Sequence, residues 1–170
     1  MTIWINNRQR TTVLSQQKLR EKAAKILNAL GLSDRELSLT LVGDRAMARL
    51  NRETFGRRGP TNVIAFPLDD PPTPGGPPAL LGEVVISLQT TRRQAQEFGW
   101  PWQELLAFFL IHGILHLLGY DHGAPAAEAR MTARTWELMG VLYPGRSWDL
   151  EPAPPEPENP PDPPFPKGGT

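Results

Sequence analysis

The sequence predicts an α+β fold: a single domain with a small mixed β-sheet packed by helices around one central apolar helix. Segments with apolar residues at helical spacing are intermixed with strand-like alternating segments, without a regular doubly wound rhythm and without internal repeats. The most apolar stretch, Leu105 to Tyr120, is an uncharged run of 16 residues, which suits a buried helix. The 19 prolines also cluster, nine in 152–166 and five in 70–78, and so leave the segments between them free to form regular elements.

Ser15 precedes QQKLREKAAKILNAL, where Leu19, Ala23, Ile26, Leu27 and Leu30 recur on one face and Gly31 supplies a stop; this predicts an amphipathic helix. ELSLTLV (36–42) alternates as a strand does. Asp44 is placed to cap a second helix through Met47 and Leu50, and GRRGP (56–60) forces a loop before NVIAF (62–66), the next strand. The proline-rich stretch 70–78 reads as a long surface loop, EVVIS (83–87) as a short strand and TTRRQAQEF (90–98) as a helix stopped at Gly99. Pro101 opens the most apolar helix, expected over 102–118, and a last helix follows Pro125 to about Met139. Residues 151–170, EPAPPEPENPPDPPFPKGGT, have few backbone donors and almost nothing apolar to bury, which predicts a disordered proline-rich tail behind a folded domain at 1–150.

Composition excludes several classes. Without cysteine there is no disulfide framework and no thiolate-ligated metal centre. MTIWINNRQR lacks the apolar core of a signal peptide, and the 16-residue apolar run falls short of the roughly 20 residues of a membrane span, so a cytoplasmic location without a membrane partner is expected. The balance of 18 Lys+Arg against 18 Asp+Glu hides an asymmetry, because residues 1–66 hold 12 Lys/Arg against five Asp/Glu and residues 67–150 hold five against nine. The basic half either faces a polyanion or presents ordinary solvated helix faces.

All three histidines, His112, His116 and His122, fall within HGILHLLGYDH. Residues i and i+4 of a helix share a face with Cβ atoms roughly 5–6 Å apart, so His112 and His116 are spaced to converge on one ion. Gly119 ends the helix, and the chain can fold back through Tyr120 and Asp121 to bring His122 to the same point. Three nitrogen ligands with a fourth position left to water is the open pattern of a catalytic zinc site. A lone histidine on an apolar helix is ordinarily a core residue, but three at ligand spacing favour the metal, since burying several unpartnered imidazoles costs stability. The zincin pattern HExxH needs a glutamate after its first histidine, and this chain has Gly113 there, which disfavours a peptidase. Asp121 is the nearest carboxylate; it either orients a ligand or the metal's water, or serves as a turn residue.

HGILHLLGYDH resembles HGxLHLxGYDH, the signature of the bacterial YbeY family of rRNA maturation endoribonucleases. Upstream, LNRETFGRRGPTNVIAFP is similar to the family's LN…R…PT(D/N)VLSFP segment, with Thr61 and Asn62 in the PT(D/N) positions, and LGEVVIS to its GD(I/V)xIS strand, with Glu83 where Asp is more usual. The likeness covers roughly residues 37–122. It implies a single-domain α+β metalloprotein with one zinc ion, or another divalent metal, on His112, His116 and His122. It further implies endonucleolytic cleavage of single-stranded regions of ribosomal RNA precursors, 3′-end maturation, ribosome quality control, and ribosomal RNA, the ribosome or its proteins as partners. The family carries an arginine implicated in activity where this chain has Phe55, and Arg57 and Arg58 follow closely; a local shift of the loop lets one of them supply the charge, or both merely contact solvent. The alternative to the endoribonuclease is a non-catalytic, metal-stabilised ribosome-assembly factor, which the phenylalanine favours.

Overall fold

The computed structural model describes residues 2–68 and 73–148. The stripe Leu19, Ala23, Ile26 and Leu27 is the buried face of α1 (Gln16–Ala29), and Ser15 caps that helix by accepting from the Lys18 N–H. Alternation makes β2 (Glu36–Val42) two-faced: Leu37, Leu39 and Leu41 join the main core, while Ser38 and Thr40 point the other way. The helix α2 (Asp44–Phe55) follows directly and stops at Gly56. After the loop come β3 (Val63–Pro67) and β4 (Leu80–Ser87), then α3 (Leu88–Phe98), α4 (Trp102–Leu117) and α5 (Pro125–Leu142).

Three boundaries differ from the sequence expectation. Gly43, not Asp44, occupies the cap position of α2, and the Asp44 carboxylate is engaged by α3 and the end of β4. Ser87 rather than the run from Thr90 starts α3, its hydroxyl accepting from the Thr90 N–H. The last helix runs on to Leu142 because Leu138, Met139 and Leu142 all still face the core. A further strand, β1 (Ile3–Asn7), was not expected at all. The tail 151–170 and part of the proline-rich loop lie outside the described residues.

The sheet has the order β1-β2-β4-β3, with β1, β2 and β4 parallel and β3 antiparallel along β4. Pro67, which cannot donate to a ladder, is tolerated because β3 is an edge strand. On one face of the sheet Leu37, Leu39, Leu41, Val84 and Ile86 pack with α1, α4 and α5; on the other, Val42, Ile64 and Val85 pack with Met47 of α2. Among the described residues this is the predicted α+β domain with its five helices and a mixed sheet of four strands, one more than the pattern announced. In α4, Leu105, Phe109, Leu110, Ile111, Ile114 and Leu115 are fully buried, each stabilising the fold by about 1.5–3 kcal/mol. Whatever side chains α4 carries are therefore held on a fixed support.

Candidate metal centre

His112 and His116 lie one turn apart near the end of α4, each 6% exposed. The helix closes with Leu118 N–H bonding to the Ile114 and Leu115 carbonyls and Gly119 N–H to that of His116. Gly119 takes φ +93°, a conformation open to glycine, and Tyr120 N–H returns to the Leu115 carbonyl, so the chain doubles back and delivers His122 to the other two rings. His116 Nε2 and His122 Nε2 lie 3.1 and 3.4 Å from His112 Nε2, and the ligand atoms of all three fall within 4.8 Å of one another. Nitrogens bound tetrahedrally at 2.0–2.1 Å from zinc are separated by about 3.3–3.4 Å. The two spacings from His112 match edges of such a tetrahedron, the third pair lies within 4.8 Å, and the half-buried His122 borders solvent. Beside it Leu118, Gly119, Tyr120, Asp121, Ala127 and Arg130 line a cleft of about 260 Å³.

The surroundings favour the neutral, ligating form of His112 and His116. Burial, reinforced by the neighbouring His116 and His122, pushes the His112 pKa well below its usual 6.5. Burial and His122 likewise lower His116 to about 4, although the Tyr120 backbone and the Asp121 carboxylate pull the other way. His116 Nδ1 and His122 Nδ1 are buried without a hydrogen-bond partner among the described residues. Three imidazoles with converging nitrogens and no carboxylate in the cluster form a donor set for a divalent ion of the zinc type.

Close packing explains Gly113. A Cβ at this position would lie 2.6 Å from Val84 Cγ1 and 3.2 Å from Val63 Cγ2, so the residue after the first histidine faces the sheet and has no room for a side chain. A peptidase glutamate is thereby excluded by the packing as well as by the sequence.

The other expected residues are distributed around this cluster. Asp121 is exposed and its Oδ1 accepts from the Gly123 N–H at 2.9 Å, a turn-forming bond; its neighbour His122 is in the triad. Arg57 and Arg58 lie on the loop between α2 and β3, and among the described residues neither is joined to a histidine by a hydrogen bond or ring contact. Phe55, in the place of the family arginine, packs with the cluster around Met47, and the Arg57 guanidinium sits 5.7 Å above its ring. Asn51 donates to the Gly59 carbonyl at one end of the loop, while buried Asn62 accepts from Ser87 N–H and donates to Gln94 at the other. Thr61 is buried beside it, and Glu83 accepts from Thr40 and Ser38 on the opposite face of the sheet from α4.

Sequence reasoning missed the polar network of Asp44, which accepts from Ser87 Oγ at 2.7 Å, Thr90 Oγ1 at 2.6 Å and Arg93 at 2.9 Å. Its partners are more than 40 residues away, and only the fold brings them together.

A family model described as endoribonuclease YbeY matches residues 4–142. An endoribonuclease YbeY of Geobacter metallireducens is 42% identical over 144 residues, covering 84% of this chain and 96% of the relative. That of Geobacter sulfurreducens is 40% identical over 147 residues, 85% of this chain and 98% of the relative. The solution structure of TM1509 from Thermotoga maritima superposes with a TM-score of 0.56 at 26% identity, covering 88% of this chain and 97% of that one.

Proposed function

We propose that this chain, which belongs to the endoribonuclease YbeY family and is a nuclease of the hydrolase class, cleaves single-stranded regions of ribosomal RNA precursors with one zinc ion held by His112, His116 and His122. The observation carrying this reading is the convergence of three buried or half-buried imidazoles, with ligand nitrogens within 4.8 Å of one another, next to a cleft lined by Asp121. A bound divalent ion there supplies a Lewis acid for a phosphoryl oxygen and lowers the pKa of water.

The chain's own residues supply positioning and charge. Neutral His112 and His116 are held by the buried helix, so the donor set is pre-organised before any ion arrives. Asp121, tied to Gly123 through one oxygen, keeps the other for orienting a ligand histidine or the attacking group. Arg57 takes over from the family arginine: its guanidinium lies over Phe55, the residue standing in that arginine's place, and the loop is pinned at Gly59 and Asn62. A guanidinium so held neutralises charge developing on the phosphoryl oxygens, and Arg58 beside it adds to the local field. On this reading the partners are ribosomal RNA and the assembling ribosome or its proteins, the setting is the cytoplasm, and the process is 3′-end maturation with ribosome quality control. No described helix is long and apolar enough to cross a membrane.

The test is cleavage of a precursor RNA carrying a single-stranded 3′ flank. Wild type should bind about one zinc per chain and cleave; chelation and His116→Ala should each abolish cleavage, and the variant should lose the metal. Full metal content in His116→Ala would refute the ligand set. Tight RNA binding without cleavage would favour the assembly-factor role, for which the phenylalanine at position 55 is the specific argument. A 2′-deoxy substitution at the cleaved position identifies the nucleophile: continued cleavage points to water, and a block points to the RNA's own hydroxyl.

A further inference from the structure

Away from the histidines, the carboxyl ends of the three parallel strands converge on a second concavity. Arg8 and Arg10 follow β1, Gly43, Arg45 and Arg49 follow β2, and Gln89 follows β4; together they line a pocket of about 300 Å³. Crevices outside the carboxyl ends of parallel strands are where open sheets of this kind commonly bind ligands. All four arginines are exposed, and none forms an ion pair among the described residues. Asp44, the acid at the start of α2, is turned toward Ser87, Thr90 and Arg93 instead.

The loop that presents two of these arginines is built rather than slack. The buried side chain of Gln9 donates to Asn7 Oδ1 and to the Thr12 carbonyl, both at 2.9 Å, and accepts from the Thr12 N–H at 2.9 Å. Arg8 N–H donates to the Leu41 carbonyl at 2.8 Å, locking the loop to the end of β2. Gln9 thus turns inward and its two neighbours, Arg8 and Arg10, are displayed on a fixed frame. Arg45 and Arg49 stand at i and i+4 on α2, one turn apart on the same face. Four uncompensated guanidiniums around one concavity on rigid supports suit a polyanion with several phosphates.

We infer that this pocket binds the sugar–phosphate backbone of the RNA substrate at a distance from the scissile bond, a proposal that rests on the RNA-processing reading above. The direction of the strands supports it. Because β3 is antiparallel to β4, with Val63 opposite Ile86 and Ser87 N–H on the Asn62 carbonyl, the Arg57–Arg58 loop enters the sheet at the same end as the pocket. Two to three strand spacings, roughly 10–15 Å, separate the two along the sheet. Val63 also abuts Gly113, the neighbour of His112, so a single strand leaving the pocket passes the loop on its way to the triad. The pocket fixes register; the triad acts downstream of it.

Full-length, zinc-loaded protein would be titrated against a labelled 20-nucleotide single-stranded RNA over a salt series. Replacing Arg8, Arg10, Arg45 and Arg49 together by Ala should weaken binding at least tenfold and make the dependence of log Kd on log salt shallower by about 3, as expected for four contacts at ~0.7 per phosphate. Lys18→Ala with Lys25→Ala removes the same charge from α1 as Arg45→Ala with Arg49→Ala does from α2, and should change affinity far less. Equal losses in the two pairs, unchanged binding in the fourfold variant, or no RNA binding by wild type would each overturn the pocket. Metal-dependent cleavage is scored separately. Wild type that binds through these arginines but never cleaves would sink the endoribonuclease reading and leave the pocket standing; cleavage with arginine-independent binding would sink the pocket alone.

Discussion

Gly113 shows how one residue separates two chemistries built on similar histidine spacing. Its missing Cβ lets α4 settle on Val84 and Val63, and that settling positions His112 one residue earlier. Gly113→Ala must push the helix away from the sheet, and overpacking of this kind costs about 1–3 kcal/mol, more than the helix propensity gained. We expect a lower urea midpoint with an unchanged m value, and weaker zinc retention measured by competition with a chelator. Restored packing through Val84→Ala in the double variant should recover part of both. The histidines themselves were legible because the geometry that joins His112 to His116 is the period of the helix. The four arginines of the pocket were not, since Arg8 and Arg49 meet only through the pairing of β1 with β2. Arg57 falls between: its loop was readable, while its seat over Phe55 depended on where the end of α2 lies.

At the level of elements, the parts recovered from sequence were those with a buried stripe. α1 and α4 bury regular sets of residues and matched the expected spans closely. β1 buries only Ile3 firmly, leaves Trp4 58% exposed, and so offers no alternation to read; its place in the sheet comes from pairing with β2. Asp44 links three elements, with Ser87 closing β4 and Thr90 and Arg93 on α3. Burial alone would raise its pKa, but hydrogen bonds from Thr90, Ser87 and Arg93 together with the Arg93 charge bring it below the ordinary 3.8. A depressed folded value means this stabilisation is complete above the unfolded pKa of 3.8 and is lost as pH falls through the folded one. Asp44→Ala, which strands the fully buried Ser87 and Thr90 hydroxyls, should cost about 1–3 kcal/mol at neutral pH. Below pH 3.8 the gap between wild type and this variant should narrow in denaturant titrations; a constant gap down to pH 2 would contradict the assignment.

Over the whole molecule, charge and architecture divide in a way that composition alone conceals. Arginines of 1–66 line the pocket and stand on the loop, while the triad comes from the later half, so on the proposed reading binding and chemistry are contributed by different stretches of the chain. The segment after Leu150 adds Glu151, Glu156, Glu158 and Asp162 against Lys167, a net negative charge on a chain whose proposed ligand is a polyanion. The family match ends at residue 142, and Trp148, 3% exposed, is the last buried side chain among the described residues. Truncation after Leu150 keeps that tryptophan and its contacts with Trp100 and Trp136. The shortened protein should therefore melt within about 2 °C of the full chain, since only a drop of several degrees would signal a lost kcal/mol in a domain of this size. Its zinc content should be unchanged, and its affinity for single-stranded RNA equal or tighter at low salt, with the difference vanishing as salt screens the four acids. A large fall in melting temperature would show that residues beyond 150 complete the core, and weaker RNA binding would show that they hold the substrate.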